Sequence, residues 1–410
     1  MSVYFKNIFY YIFFFWLIGL EQFVITPLYL LVNYIYDKKL TIESFMAPFI
    51  VIIFFMFFSV FNLNEPIKFL QLFRNIYSFI GAILILNFYY RHSQSLYVST
   101  NSFFKTIYFG TFIISFSGFL PLIGINFSIE TIFYSLSSNE FLKKIFYKTL
   151  ADPDSGLFFI EGFIRPKGLM LFPNELSQIN VLNIVIGLYL FTIRKIPLFI
   201  FSIFTFISSL VLISTLSRAS WIALLISILI AQIIKSLLRK KISINLFITL
   251  FFVIFIGYFL NIFDLILSRF DNAHSNSGRL TNYIISSQMT FSSFWSMLFG
   301  HGSQVNFITK ENILELGSHS TYIGIMFKYG ILALISYIYF QLNFLRNIIL
   351  SFKKNIINEH KFILFIQIII ISIVHSLFYD IDVDINIILF YFACLGAIAS
   401  EILVKPQEIK

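Results

Sequence analysis

The sequence predicts an all-α fold, a polytopic helical bundle in a membrane, and three observations carry that prediction. Of 410 residues, 58% are hydrophobic and only 12% are charged, against about 25% charged in a soluble domain. Phe alone fills 56 positions, more apolar surface than a water-exposed chain of this size can hide. The apolar stretches are long and do not alternate. They suit helices of about 20 residues across a roughly 30 Å hydrocarbon core, not the ~10-residue alternation of a membrane barrel. An ordinary cytosolic enzyme, a disulfide-stapled secreted domain and a disordered chain are excluded. The single cysteine, Cys394, lies in an apolar run, so neither a disulfide framework nor a Cys-based metal site is expected.

Apolar runs between polar breaks give eleven candidate spans, and residues 1–410 read as one integral membrane domain. The first run, 8–36, follows Lys6 and lacks a small-residue cleavage site, so it reads as a retained span and not a signal peptide. Glu21 and Pro27 interrupt it, and a hairpin there would raise the count to twelve. Spans 44–61 and 75–90 flank the connection 62–74, and 91–106 leads to 107–125. After the polar stretch 126–174 come 175–193, 197–214 and 219–235, joined by short turns. Segment 235–241 leads to 242–267, and the second polar stretch, 269–319, leads to 320–344. The spans 362–379 and 385–403 complete the set. No inverted internal repeat of the kind common in secondary transporters is evident.

Orientation follows from the basic residues. Segments 37–41, 91–106, 194–195, 235–241, 346–361 and 404–410 together carry sixteen Lys and Arg residues, whereas 62–74, 215–218 and 380–384 carry only Lys68, Arg74 and Arg218. Basic short loops resist translocation, so the first set is expected in the cytoplasm. The stretches 126–174 and 269–319 then become long outer loops, and any chemistry is expected on the outer face. The net charge of +9 is thereby a topology signal, with no nucleic acid implied.

Ionisable groups at membrane depth are costly and need a reason. Glu21 and Lys328 suit bundle-interior groups that pair with another side chain, and Asp264 suits an interface. For His375, in mid-span, a hydrogen-bonded structural histidine is the stronger reading than a ligand. The outward arginines say more. Arg218 lies in Leu216-Ser217-Arg218-Ala219-Ser220-Trp221, a turn whose small residues leave room around the guanidinium. Arg165 opens Arg165-Pro166-Lys167-Gly168, with Pro173-Asn174 just before the next span; Asn174 is expected to be an N-cap and Gly168 to permit a sharp turn. Arg279 lies in Ser277-Gly278-Arg279-Leu280 of the second loop. Any one of them alone also suits an anchor for lipid headgroups. Three on a side whose short connections are poor in basic residues point to a ligand, since guanidinium forks match phosphate and diphosphate oxygens.

His319, in Gly317-Ser318-His319-Ser320-Thr321-Tyr322, is the best single candidate for acid–base work, because a histidine at the interface titrates near neutral pH. The competing reading is a surface or capping histidine. His274 and His301 share this loop, but no His-Glu-x-x-His pattern or Cys cluster supports zinc. The pairs Asp152-Pro153-Asp154 and Asp380-Ile381-Asp382-Val383-Asp384 can hold Mg²⁺ against a lipid phosphate, or serve as a Pro turn and an acidic flank.

These motifs, in this order, resemble the O-antigen ligase and O-antigen polymerase superfamily of bacterial envelope membrane proteins. Arg165-x-x-Gly168 followed by Pro173-Asn174 is similar to that family's approach to a central span, and Ser217-Arg218 to its turn between spans. His319-Ser320, nine residues and Gly330 resemble its ligase signature, with Ala333 where Gly, Thr or Tyr is expected. Phe299-Gly300-His301-Gly302 resembles the Gly-x-Gly that precedes the histidine. The family-like core covers residues 160–345.

The resemblance implies an enzyme that takes a glycan from undecaprenyl diphosphate on the periplasmic face of the inner membrane, with no metal, nucleotide sugar or cofactor. Arg218 and Arg279 would clamp the leaving diphosphate and His319 would orient or deprotonate the acceptor hydroxyl. Arg165, Asn174 and Ser320 would be substrate-binding positions. The implied partners are the lipid-linked oligosaccharide, a glycan or lipid A core acceptor, the bilayer and a chain-length regulator. A repeat-unit polymerase is preferred to an O-antigen ligase, because polymerases tolerate a degenerate signature. A protein O-glycosylating relative ranks third. From another class, a lipid-linked oligosaccharide flippase predicts charges at mid-membrane, and a metal-dependent sugar transferase predicts inhibition by EDTA.

Overall fold

The computed structural model describes residues 44–63, 66–94, 99–125, 157–160, 163–168, 170, 172–239, 273–308, 313–379 and 385–403. The expected spans 8–36 and 242–267 lie outside these residues, with Glu21, Asp264 and both Asp-x-Asp pairs. The described chain is mostly helical. In order it runs α1 (Ala47–Phe58), α2 (Pro66–Gln94), α3 (Thr100–Phe119), the hairpin β1 (Leu157–Ile160) and β2 (Phe163–Pro166), α4 (Pro173–Thr192), α5 (Leu198–Ser214) and α6 (Arg218–Arg239). It continues through α7 (Ala273–Thr290), α8 (Phe294–Phe299), the hairpin β3 (Val305–Ile308) and β4 (Ile313–Leu316), α9 (Thr321–Tyr329), α10 (Ile331–Lys353), α11 (Glu359–Phe378) and α12 (Ile385–Ile402). Both hairpins are antiparallel.

Among the described residues, five helical segments are long and apolar enough to cross a membrane: Thr100–Ile123, Pro173–Thr192, Arg218–Leu238, Ile331–Lys353 and Glu359–Phe378. Ala47–Asn62, Leu198–Ser214 and Phe390–Ile402 are shorter apolar segments. α4 and α11 form the centre, and α3, α5, α6, α10 and α12 pack around them. α4 carries unusually polar residues for that place. Its Asn183 Nδ2 donates to Tyr108 O and Thr111 Oγ1 of α3, both at 2.8 Å, while Ser208 of α5 donates to Asn183 Oδ1 at 3.0 Å. In an apolar solvent such bonds hold helices together where the hydrophobic effect cannot.

Several expectations are corrected. The expected span 320–344 is two helices, α9 and α10, broken at Gly330. Gly330 has φ +90°, and a Cβ there would collide with the Leu298 carbonyl. The loop after α8 then closes the end of α9: His301 N–H donates to Phe327 O and Gly302 N–H to Lys328 O, each at 2.8 Å. Gly300 and Gly302 also have positive φ, as backbone running this close to backbone requires. Gly330→Ala combines a left-handed backbone costing about 1–3 kcal/mol with that collision, so a clear drop in Tm of the detergent-solubilised protein is expected. A wild-type melting curve would contradict this packing.

The stretch 269–319 is not a plain loop, since it contains α7, α8 and a hairpin, and its polar composition hid these elements. β1 and β2 occupy the end of the stretch 126–174. α2 is a 29-residue helix, so Lys68 and Arg74 belong to a helix and not to a connection. Most of 346–361 is also helical, in α10 and α11. Asn174 is not an N-cap: Phe172 caps α4 in extended conformation and Pro173 is the first helical residue. Pro is favoured there because that N–H has no intrahelical partner to lose.

The two ends of the bundle differ. Lys361 pairs with Glu401 at 2.6 Å, Lys235 pairs with Glu359, and Thr100 donates to Glu401. These residues share one end with Arg194, Lys195, Lys353 and Lys354. The starts of α4 and α6 and the end of α11 form the other, where the predicted site residues lie.

Candidate functional site

Three helices begin at this second end. α4 starts at Pro173, α6 at Arg218 and α9 at Thr321. Each contributes first-turn N–H groups and the positive end of its dipole. Hydrogen bonds tie the three starts to one another and to the end of α11. Ser177 Oγ of α4 lies 2.6 Å from Ser220 Oγ of α6. Ser217 Oγ, just before α6, lies 2.5 Å from the Tyr379 hydroxyl. The Tyr379 carbonyl accepts from Thr321 N–H at 2.8 Å and Thr321 Oγ1–H at 2.6 Å.

Two of the predicted residues meet directly. Arg165, on β2, donates through Nε to Thr215 O at 2.6 Å and through Nη2 to Asn174 Oδ1 at 2.9 Å. Its guanidinium thus joins the hairpin to the end of α5, where a cation is favoured, and to the start of α4. Gly168 lets the following turn press on α3: it has φ +57°, and a Cβ would lie 2.6 Å from Ser117 Oγ. Arg165→Ala strands the Thr215 carbonyl and the Asn174 amide oxygen. That costs about 1–3 kcal/mol per buried unsatisfied group, so a lower Tm is expected together with any loss of activity. An unchanged Tm would place Arg165 outside the scaffold.

Arg218 is half-buried at the first position of α6. A cation opposes the dipole there, so helix stability gives it no reason to be present; the two positive charges together favour an anion. Arg279 is half-buried on α7, one turn before Asn282 and Tyr283. Asn282 Nδ2 donates to Ser318 Oγ at 3.3 Å, the Tyr283 hydroxyl to His319 O at 2.8 Å, and Gly317 N–H to Ser286 Oγ at 3.0 Å. The i+3 and i+4 spacing puts Arg279 on the face of α7 that holds the 317–319 backbone.

His319 is exposed and has φ +67°, unusual for a residue other than Gly. Arg194, Leu216 and Asn355 also have positive φ, but each follows the end of a helix, and at Arg194 and Asn355 paired C-terminal hydrogen bonds explain it. His319 precedes a helix and has no such reason. Ser320 is different again. It is buried, accepts from Ile323 N–H as the N-cap of α9, and donates to Ser376 O at 3.3 Å. Its hydroxyl faces the bundle, where it sets the start of α9. The nine residues between Ser320 and Gly330 are α9 itself, so the signature spacing is the length of one short helix between a cap and a compulsory glycine.

Sequence reasoning missed Tyr379. Burial raises the pKa of its phenol, opposed by the hydrogen bond to Ser217 and by the charges of Arg279 and Arg165. The phenol therefore lies in the field of both arginines. A Tyr at a span end reads as an ordinary interface aromatic, so nothing in the sequence set it apart.

His301 is partly buried, with Nε2 3.3 Å from Met289 O and its ring 4.6 Å from that of Phe327. Burial lowers its pKa from 6.5, and the Met289 carbonyl opposes the shift. Below 6.5 the unfolded chain binds a proton that the folded loop resists. Stability should therefore be full above 6.5 and fall as the pH drops below it, and His301→Gln should flatten that dependence of Tm. His274 lies in the first turn of α7. Among the described residues, no group of three His, Cys, Asp or Glu side chains is placed to hold a metal.

Residues 203–338 match the family model described as O-antigen ligase. Over this span the chain is similar to the O-antigen ligase family. The matched third of the chain runs from within α5 into α10 and contains Arg218, Arg279, His319 and Ser320; Arg165, Asn174 and Tyr379 lie outside it and reach the superfamily segment through the contacts above. The likeness agrees with the five helices that are long and apolar enough to cross a membrane. No curated protein and no solved structure matches it.

Proposed function

We propose that this chain is a membrane glycosyltransferase that takes a glycan from undecaprenyl diphosphate at the outer face of the bacterial inner membrane, as an O-antigen or capsule repeat-unit polymerase. The observation that carries this reading is the gathering of Arg218, Arg279 and His319 around the starts of α6 and α9. The basic clusters at the opposite end support a periplasmic site, because basic short loops stay in the cytoplasm.

The chemistry follows from these groups. An acceptor hydroxyl attacks the anomeric carbon of the lipid-linked glycan and its proton passes to the His319 imidazole. The bond from that carbon to the diphosphate oxygen breaks, and Arg218 and Arg279 neutralise the charge that develops on the departing diphosphate. Preformed donors aimed at developing charge need no reorganisation during the reaction, which makes such electrostatic help large. A site at the membrane edge suits a substrate whose tail stays in lipid while its glycan is in water.

A second reading, O-antigen ligase with lipid A core as acceptor, is favoured by the spacing from His319 to Gly330 and by the description of the matched family. A gel of surface glycans from a deletion strain separates the two. Single repeats attached to core are expected for a lost polymerase; polymer held on carrier lipid would indicate a lost ligase. Unchanged surface glycans would refute both.

A further inference from the structure

Tyr379 joins the end of α11 to the starts of α6 and α9, yet the reaction above gives it no role. Its main-chain carbonyl fixes Thr321, two residues after His319. Its phenol is bound to Ser217, the residue before Arg218. The residue as a whole is half-buried, at the end of the bundle where α4, α6 and α9 begin.

Behind it runs a chain of polar groups into the middle of the bundle. Ser217 Oγ donates to Ser220 Oγ at 3.2 Å, Ser220 Oγ lies 3.2 Å from His375 Nε2, and His375 Nδ1 lies 2.5 Å from the Tyr391 hydroxyl. Ser220, His375 and Tyr391 are fully or almost fully buried. In a low-dielectric interior such a connected network is rigid, because each member would be costly to leave unmatched. It therefore orients the Ser217 hydroxyl, and through it the phenol.

We propose that the Tyr379 hydroxyl is a neutral hydrogen-bond donor to the diphosphate of the lipid-linked substrate, positioned by Ser217. This rests on the diphosphate reading above. Either hydroxyl can donate in the Ser217–Tyr379 pair. Ser217 has one hydroxyl proton: turned from Ser220 to the phenol oxygen, it leaves the phenol proton available to a phosphate oxygen. Burial keeps the phenol protonated despite the neighbouring arginines. A carboxylate at this point would repel a diphosphate, whereas a phenol adds directionality to the guanidinium charges without taking any of their charge away.

The test is binding of undecaprenyl diphosphate to the full-length protein in nanodiscs, with phosphatidylglycerol as competitor. Y379F should bind roughly tenfold more weakly, the scale of one hydrogen bond to a charged group, with an unchanged KM for the acceptor. S217A should lose several-fold, and the Y379F/S217A double variant should lose little beyond Y379F alone, because the serine acts through the phenol. Wild-type affinity in Y379F overturns the proposal. So does equal competition by phosphatidylglycerol in the wild type, which would make this a headgroup site. If Y379F fails to insert, S217A decides, and wild-type affinity there overturns the positioning. Failure of the diphosphate reading has its own signature: an Arg218→Ala/Arg279→Ala variant that binds undecaprenyl diphosphate as the wild type does.

Discussion

His319→Ala is expected to lower glycan transfer by about 10²–10⁴-fold, the usual contribution of a positioned general base, while the protein still inserts. The backbone at this residue makes a sharper control available. A residue other than Gly in the left-handed region costs about 1–3 kcal/mol, and His319 has φ +67° between Ser318 and the buried cap Ser320. His319→Gly should relieve that strain and melt at or above the wild-type temperature, yet be as inactive as the Ala variant. A purely structural histidine predicts the reverse, with stability lost and activity following it. Transfer from a lipid-linked donor in nanodiscs, measured beside Tm for both variants, reads the two effects separately. Wild-type transfer in His319→Gly would remove His319 from the chemistry.

The arginines carry the second large effect. Arg218→Ala and Arg279→Ala should each reduce transfer by about 10²–10³-fold, as loss of one preorganised donor to a developing anion does. Lys at either position keeps the charge but not the planar fork, so partial recovery is expected. The loss should appear mostly in kcat, since the leaving diphosphate bears more charge in the transition state than in the bound substrate. Both changes should lower transfer far more than Tm, the reverse of the balance at Arg165→Ala, whose guanidinium ties Thr215 and Asn174 together. Activity assays at matched expression, with Tm for all three variants, check this division. Equal stability losses at Arg218 and Arg165 would contradict it.

Much of the fold was legible because lipid imposes a simple rule on sequence. A helix that crosses a bilayer must be apolar for most of its length, since no water is there to satisfy its backbone. The expected spans at 175–193, 197–214, 219–235, 362–379 and 385–403 accordingly match α4, α5, α6, α11 and α12 to within a few residues. The rule says nothing about polar helices at the membrane edge, which is why α7 was read as loop. It also cannot see Gly330, where an apolar run continues but the backbone of α8 leaves no room for it to stay one helix.

The site divides along the same line. Composition and the distribution of Lys and Arg along the chain were enough to mark Arg165, Arg218, Arg279 and His319 as residues needing a reason, because basic residues beside apolar spans favour the cytoplasmic side. How each of them is held depends on contacts between residues far apart in sequence. Asn174 turned out to be the partner of Arg165, Ser320 a buried cap, and Tyr379 the junction of α6, α9 and α11. Periodicity describes the faces of a single helix, and only packing brings those faces together.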